Sequence, residues 1–122
     1  MSNKTLGKYG EDLAREYLQA RGYQILDGNF RHKIGEIDLV AQDGQTVCFV
    51  EVKTRQSTVQ GCPYEAVHPW KIRKLSALAA VYLKYKFHSL EIPSRFDVIS
   101  ILQDKTGTCD IQYIKNAFDS AY

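Results

Sequence analysis

An α/β domain is the fold this sequence predicts: a mixed β-sheet flanked by helices, in the order α-β-β-β-α-β-β. Three observations point there. Residues Thr5–Arg21 and Pro69–Phe87 repeat apolar side chains every three to four positions, the period of an amphipathic helix. Two alternating runs, Gly35–Ala41 and Val47–Lys53, flank the dipeptide Asp43-Gly44, which accepts the positive φ angles of a tight hairpin turn. Helices placed before and after groups of strands favour a sheet covered on both faces. At 122 residues the chain holds one core and not two, so residues 1–122 read as a single domain.

The first helix carries Leu6, Tyr9, Leu13 and Tyr17 on one stripe, widened by Ala14 and Leu18, with Gly22 as its stop. Small residues at Gly7, Gly10 and Ala14 allow a close approach to a strand. Glu11 lies at the edge of the stripe, whereas Asp12, Arg15 and Glu16 point away. Glu11 is therefore the acid placed to face the sheet, unless it pairs with Arg15 four residues on, as boundary carboxylates commonly do. Tyr23–Leu26 reads as a short strand and Asp27-Gly28-Asn29 as a turn. Phe30-Arg31-His32-Lys33 then makes a basic, aromatic approach to the hairpin. His32 has no second His or Cys at ligand spacing and reads as a surface residue.

With Asp43 and Gly44 as the loop residues, Gln42 faces Gln45, Asp38 faces Phe49 and Glu36 faces Glu51. Glu36, Asp38 and Val40 then share a face with Val47, Phe49, Glu51 and Lys53. Three carboxylates and one ammonium crowd one end of that face. Like charges opposite one another destabilise a sheet, so something must compensate. A divalent cation between Asp38 and Glu51 would do so, as would Lys53 or plain solvation more weakly.

Thr54 to Pro69 has no sustained period and contains Gly61, Pro63 and Pro69, which marks a loop of functional length. Pro69 suits the first position of the second helix, whose buried stripe is Leu75, Leu78, Ala79 and Tyr82, flanked by Ile72 and Leu83. Lys71, Arg73 and Lys74 crowd its first two turns, the wrong end for the helix dipole but one where phosphate is welcome. Trp70 beside them either stacks on a base or plugs the core, the core being the commoner place. Arg95–Leu102 alternates as a strand, Asp104–Gly107 turns, and Cys109–Ile114 closes the sheet.

Composition narrows the function classes. With 44% hydrophobic and 25% charged residues the chain is an ordinary globular protein. No apolar run approaches the roughly 18 residues that cross a bilayer, and the first residues form no hydrophobic signal segment. A cytoplasmic protein without a membrane partner is the expectation. Cys48, Cys62 and Cys109 make no Cys-x-x-Cys pair, against both a disulfide framework and structural zinc. The net charge of +2 hides an asymmetry: between Lys53 and Arg95 stand eight Lys or Arg and two acids. Such a stretch fits a polyanion, although a basic helix is as often a solvated face.

There is no Gly-x-Ser-x-Gly elbow, complete phosphate loop, dinucleotide fingerprint or His-Glu-x-x-His. The carboxylates of Asp38 and Glu51 are hard oxygen ligands of the kind magnesium prefers. Lys53 on the same face is placed to stabilise developing negative charge or to position water. Glu11 would add a ligand or an outer hydrogen bond.

The strings Gly35-Glu36-Ile37-Asp38-Leu39 and Phe49-Val50-Glu51-Val52-Lys53-Thr54-Arg55 resemble the signature of the PD-(D/E)XK superfamily of restriction endonucleases and Holliday-junction resolvases. Over nearly the whole chain the sequence is more closely similar to the small bacterial YraN-like family of predicted endonucleases. Further matches are Gly7-x-x-Gly10-Glu11-x-x-Ala14, Gly22-Tyr23, Asn29-Phe30-Arg31, Gly61-x-Pro63, Ala66-Val67, Lys71, Arg95-Phe96-Asp97-Val98 and Asn116-Ala117-Phe118. The resemblance implies a restriction-endonuclease-like core, Asp38 and Glu51 as metal ligands, Lys53 as the catalytic lysine, and Glu11 as a helix-borne acid at the same metal. It sets Glu36 aside as peripheral. The expectation is a nuclease dependent on Mg2+ or Mn2+, acting on DNA that is branched or otherwise structured. Its phosphates would be held by Arg31, Lys33, Arg55, Lys71, Arg73 and Lys74. Paired cuts would call for a homodimer, though no segment announces an interface. Competing readings are a nucleic-acid-binding adaptor that keeps the fold and cleaves nothing, and a protein-interaction domain with a vestigial acidic face.

Overall fold

Helices α1 (Asn3–Ala20) and α2 (Pro69–Phe87) cover opposite faces of one sheet. Its strands lie in the order β1 (Gln24–His32), β2 (Gly35–Asp43), β3 (Thr46–Gln56), β4 (Ser94–Gln103) and β5 (Cys109–Phe118). The structure, a computed structural model, describes residues 3–56 and 68–121. Only β3 and β4 pair in parallel, and the connection between them carries α2, the crossover that parallel neighbours require. The expected order of elements and the mixed sheet are what the chain adopts. β3 runs on to Gln56, so the expected loop starts later than Thr54; residues 57–67, with the matches at Gly61, Pro63, Ala66 and Val67, lie outside the described residues.

The inward face of α1 is Leu6, Gly10, Ala14 and Leu18, all buried. Tyr9, expected on the buried stripe, is 38% exposed, and Leu13 and Tyr17 sit half-buried at its flank. Gly10 explains the rotation. A Cβ there would stand 2.1 Å from Thr54 Oγ1, so the helix backbone itself rests on β3. On the other face Leu75, Leu78, Ala79, Tyr82 and Leu83 of α2 pack against Ile37, Val40, Val47, Phe49 and Phe96. His68 caps α2, its Nδ1 accepting from Trp70 N at 3.3 Å. Trp70 does not plug the core; it is 52% exposed, with the Lys74 ammonium 5.9 Å from its ring centre.

Two local expectations are corrected. Asp27-Gly28-Asn29 is no turn but the middle of β1. A bulge between Ile25 and Asp27 absorbs the irregularity, and Asp27 accepts the Tyr82 hydroxyl with Lys86 Nζ 3.8 Å away, which fastens the strand to α2. The β2–β3 turn is Gly44-Gln45, not Asp43-Gly44. Asp43 pairs with Thr46, and its carboxylate is held by Arg95 Nη2 at 3.2 Å. Every cross-strand pair therefore shifts by two: Val40, not Asp38, stands opposite Phe49. A two-residue shift preserves the faces, because side chains alternate with period two.

A second irregularity does change the faces. Gly28 pairs with Leu39 and Phe30 with Ile37, yet Leu39 packs on the α1 side while Phe30 and Ile37 pack on the α2 side. Residues two apart should share a face. The switch lies at Asn29, whose φ is +53°, and at Asp38 across from it. Glu36 is thereby turned to the α1 side, away from Val40 and Phe49, with which the sequence placed it.

Candidate active site

α1 brings Glu11 over the switch point, where Glu36 and Asp38 lie. One carboxylate oxygen from each of the three falls within 4.8 Å of the others. The Asn29 amide, oriented to donate, reaches Glu11 Oε2 at 3.1 Å and Glu36 Oε1 at 2.7 Å. Arg31, on the same face as its cross-strand partner Glu36, donates from Nε to Glu36 Oε2 at 3.2 Å.

Asp38 stands between this group and β3. Its Oδ2 accepts the backbone N–H of Val52 at 2.9 Å, so the carboxylate itself occupies a ladder position where β2 and β3 part. Burial pushes its pKa up to about 7; the Val52 bond opposes the rise, and the charges of Glu51, Glu11 and Glu36 add to it. Glu11 is also raised, chiefly by burial, with the Asn29 bond opposing.

Towards α2, Glu36, Asp38, Glu51, Lys71, Phe96 and Phe118 help line a cleft of about 100 Å³. Glu51 is not one of the three clustered acids; its side chain, only 10% exposed, is ion-paired with Lys71 from the first turn of α2. β3 alternates without interruption, Phe49 facing α2 and Val50 and Val52 facing α1, which sets Lys53 on the same side as Glu51 and half-buried. Asp38 is therefore the hinge of the acidic residues, facing Glu11 and Glu36 on one hand and Glu51 on the other.

The six basic residues expected to meet phosphate separate. Arg31 and Lys71 are engaged with acids of the site. Lys33 and Arg73 are exposed, on the β1–β2 turn and on α2. Lys74 lays its stem against Gly35, where an added Cβ would stand 2.7 Å from Cε. Arg55 lies half-buried on β3. One participant escapes the sequence reading: Asn29 reads there as a turn residue, although asparagine's tolerance of positive φ is the available signal. Glu36, named among the crowded acids and then set aside as peripheral, belongs to the cluster after all, on a different face from the one hairpin register suggested.

The donor set consists of hard, anionic oxygens, which suits Mg2+ or Mn2+ and not the softer metals. Glu11, Glu36 and Asp38 could hold one such ion; Glu51 lines the cleft beside Asp38 with one of its oxygens paired to Lys71. No helix among the described residues is long and apolar enough to cross a membrane.

Residues 10–101 match the model of a family described as uncharacterised protein family UPF0102. Similar chains include a UPF0102 protein of Geobacter sulfurreducens, 48% identical over 120 residues and covering 98% of this chain and 93% of its own. Another, from Geotalea uraniireducens, is 47% identical over 120 residues, with 98% and 94% covered. A UPF0102 protein of Prosthecochloris aestuarii is 40% identical over 118 residues, with 93% and 92% covered.

Proposed function

We propose that this chain, which belongs to the uncharacterised protein family UPF0102, is a metal-dependent nuclease of the PD-(D/E)XK type that hydrolyses phosphodiester bonds in DNA. The observation that carries the reading is Asp38: a carboxylate lifted out of its strand's alternation, half-buried, and set among Glu11, Glu36 and Glu51 at once. A purely structural site gains nothing from concentrating four acids. Their mutual repulsion and the burial of Asp38 are instead what a divalent cation would offset.

A bound Mg2+ or Mn2+ would polarise a phosphoryl oxygen and ease deprotonation of an attacking water. Asp38, with Glu11 and Glu36, would hold it, and Glu51 would join from β3. Asn29 orients Glu11 and Glu36 by sharing its amide hydrogens between them. The Lys53 ammonium, on the Glu51 side of β3, is placed to stabilise the extra negative charge of the pentavalent phosphate. Lys33, Arg73 and Lys74, exposed on the β1–β2 turn and on α2, would contact the DNA backbone and read no bases.

The test is cleavage of linear, nicked and four-way-junction DNA with Mg2+ or Mn2+, beside Lys53→Ala and Asp38→Asn. Loss of a charge-stabilising group typically costs about 100-fold or more, and that loss is expected for both variants. Cleavage that survives in both sinks the assignment; salt-sensitive binding without cleavage turns the reading to the adaptor.

A further inference from the structure

We propose that Lys71 is a metal-displaced latch: its ammonium holds Glu51 when the site is empty, and yields Glu51 to a divalent cation to become a ligand for the DNA phosphate. This inference rests on the nuclease reading and names the order in which that site fills.

The placement of Lys71 is the starting point. It is the third residue of α2, a helix with no acid in its first turn. A cation there opposes the helix dipole. What holds it is Glu51, whose side chain is 10% exposed against 39% for Lys71. A carboxylate so buried cannot rely on water and needs a cationic partner. Lys71 supplies one, and it does so at the point of the cleft that Asp38 also lines.

The Lys71 ammonium bonds Glu51 Oε1, and a cation shared with Asp38 would draw on the charge of the same carboxylate. A divalent cation at Asp38 would outcompete a single charge because several acids would contribute to holding it, so Glu51 would change partner. The freed ammonium would then stand in the cleft that Asp38 and Glu51 also line. An unpaired cation there is a charge-assisted partner for a phosphate oxygen entering the cleft. Metal and DNA would consequently bind with positive coupling, through one side chain that cannot serve Glu51 and phosphate together. The latch also keeps Glu51 satisfied when no metal is present.

Titration of metal-stripped protein with Mn2+ by calorimetry tests this on wild type, Lys71→Met, Lys71→Arg and Lys74→Met. Removing a competing charge-assisted bond is expected to tighten Mn2+ binding about tenfold in Lys71→Met. Lys71→Arg keeps the cation and Lys74→Met removes one that does not touch Glu51; both should bind as wild type does. On uncleaved junction DNA, Mn2+ should strengthen binding by wild type and lose that effect in Lys71→Met. Equal Mn2+ affinity in wild type and Lys71→Met overturns the latch while leaving the nuclease reading intact. Tightening in Lys71→Arg or Lys74→Met overturns it too, because packing or net charge then explains the gain. Mn2+ binding by none of the four overturns the latch and the nuclease reading together.

Discussion

Asp38→Asn is expected to make the metal-free protein more stable at alkaline pH while abolishing its proposed activity. The folded protein holds the Asp38 proton up to about pH 7, against an ordinary 3.8. Between those values the folded state binds more protons than the unfolded one, so stability falls as pH rises through the window. A displacement of that size amounts to ~4 kcal/mol at alkaline pH, a ceiling that relaxation and water entry will lower. Asparagine is nearly isosteric, its amide oxygen can still accept the Val52 N–H that Asp38 accepts at 2.9 Å, and it carries no charge to repel Glu51, Glu11 or Glu36. The measurement is denaturant unfolding of wild type and variant, with chelator, from acid to alkaline pH. The variant's advantage should approach its ceiling above pH 7, shrink on acidification and vanish below about pH 4. Each kcal/mol corresponds to roughly 4 °C in thermal midpoint for a domain of this size. Mn2+ should raise the midpoint of wild type and leave the variant nearly unmoved. A difference between the two proteins that stays flat with pH, or that favours aspartate at alkaline pH, would refute the account of the site as strained acids awaiting a cation.

Two further substitutions probe what holds the acids in place. Gly10→Ala improves intrinsic helix propensity by about 1 kcal/mol, yet its methyl would meet Thr54 Oγ1 at 2.1 Å. Overpacking at such a contact typically costs 1–3 kcal/mol, so the variant should unfold at lower denaturant, bind Mn2+ more weakly through the displaced Glu11, and recover part of both with Thr54→Ala. Asp97 is fully buried on β4, taking Arg95 Nε at 3.0 Å, the Asn116 N–H at 2.9 Å and the Tyr113 hydroxyl. Arg95 extends the network to Tyr23 and Asp43. Asp97→Ala leaves that arginine without its buried partner and is expected to lose about 3–5 kcal/mol, read by thermal unfolding; a loss below about 1 kcal/mol would show the network to be dispensable.

By itself, the sequence determined the elements. Helical and alternating periods are local properties of a few consecutive residues, so α2 begins at Pro69 and ends at Phe87 as its pattern says, and β2 and β3 follow from theirs. The candidate acids were legible too, because Glu11, Asp38 and Glu51 break apolar patterns at positions that should face other elements. What failed locally had a tertiary cause. Asp27-Gly28-Asn29 has turn chemistry, but pairing with β2 and the bond from Tyr82, 55 residues away, draw it into a strand. The Asp43-Gly44 turn slipped by one because Arg95 holds Asp43 from another strand.

Only the tertiary structure decided which acids meet. Alternation along an ideal strand put Glu36, Asp38 and Glu51 on one face, whereas the left-handed residue Asn29 and the parted strands at Asp38 divide them between two, with Asp38 at the junction. No period in the sequence encodes that reversal. It depends on α1 carrying Glu11 across Gly10 and on α2 setting Lys71 against Glu51, because charge repulsion and hydrogen bonding act between groups that only folding makes neighbours.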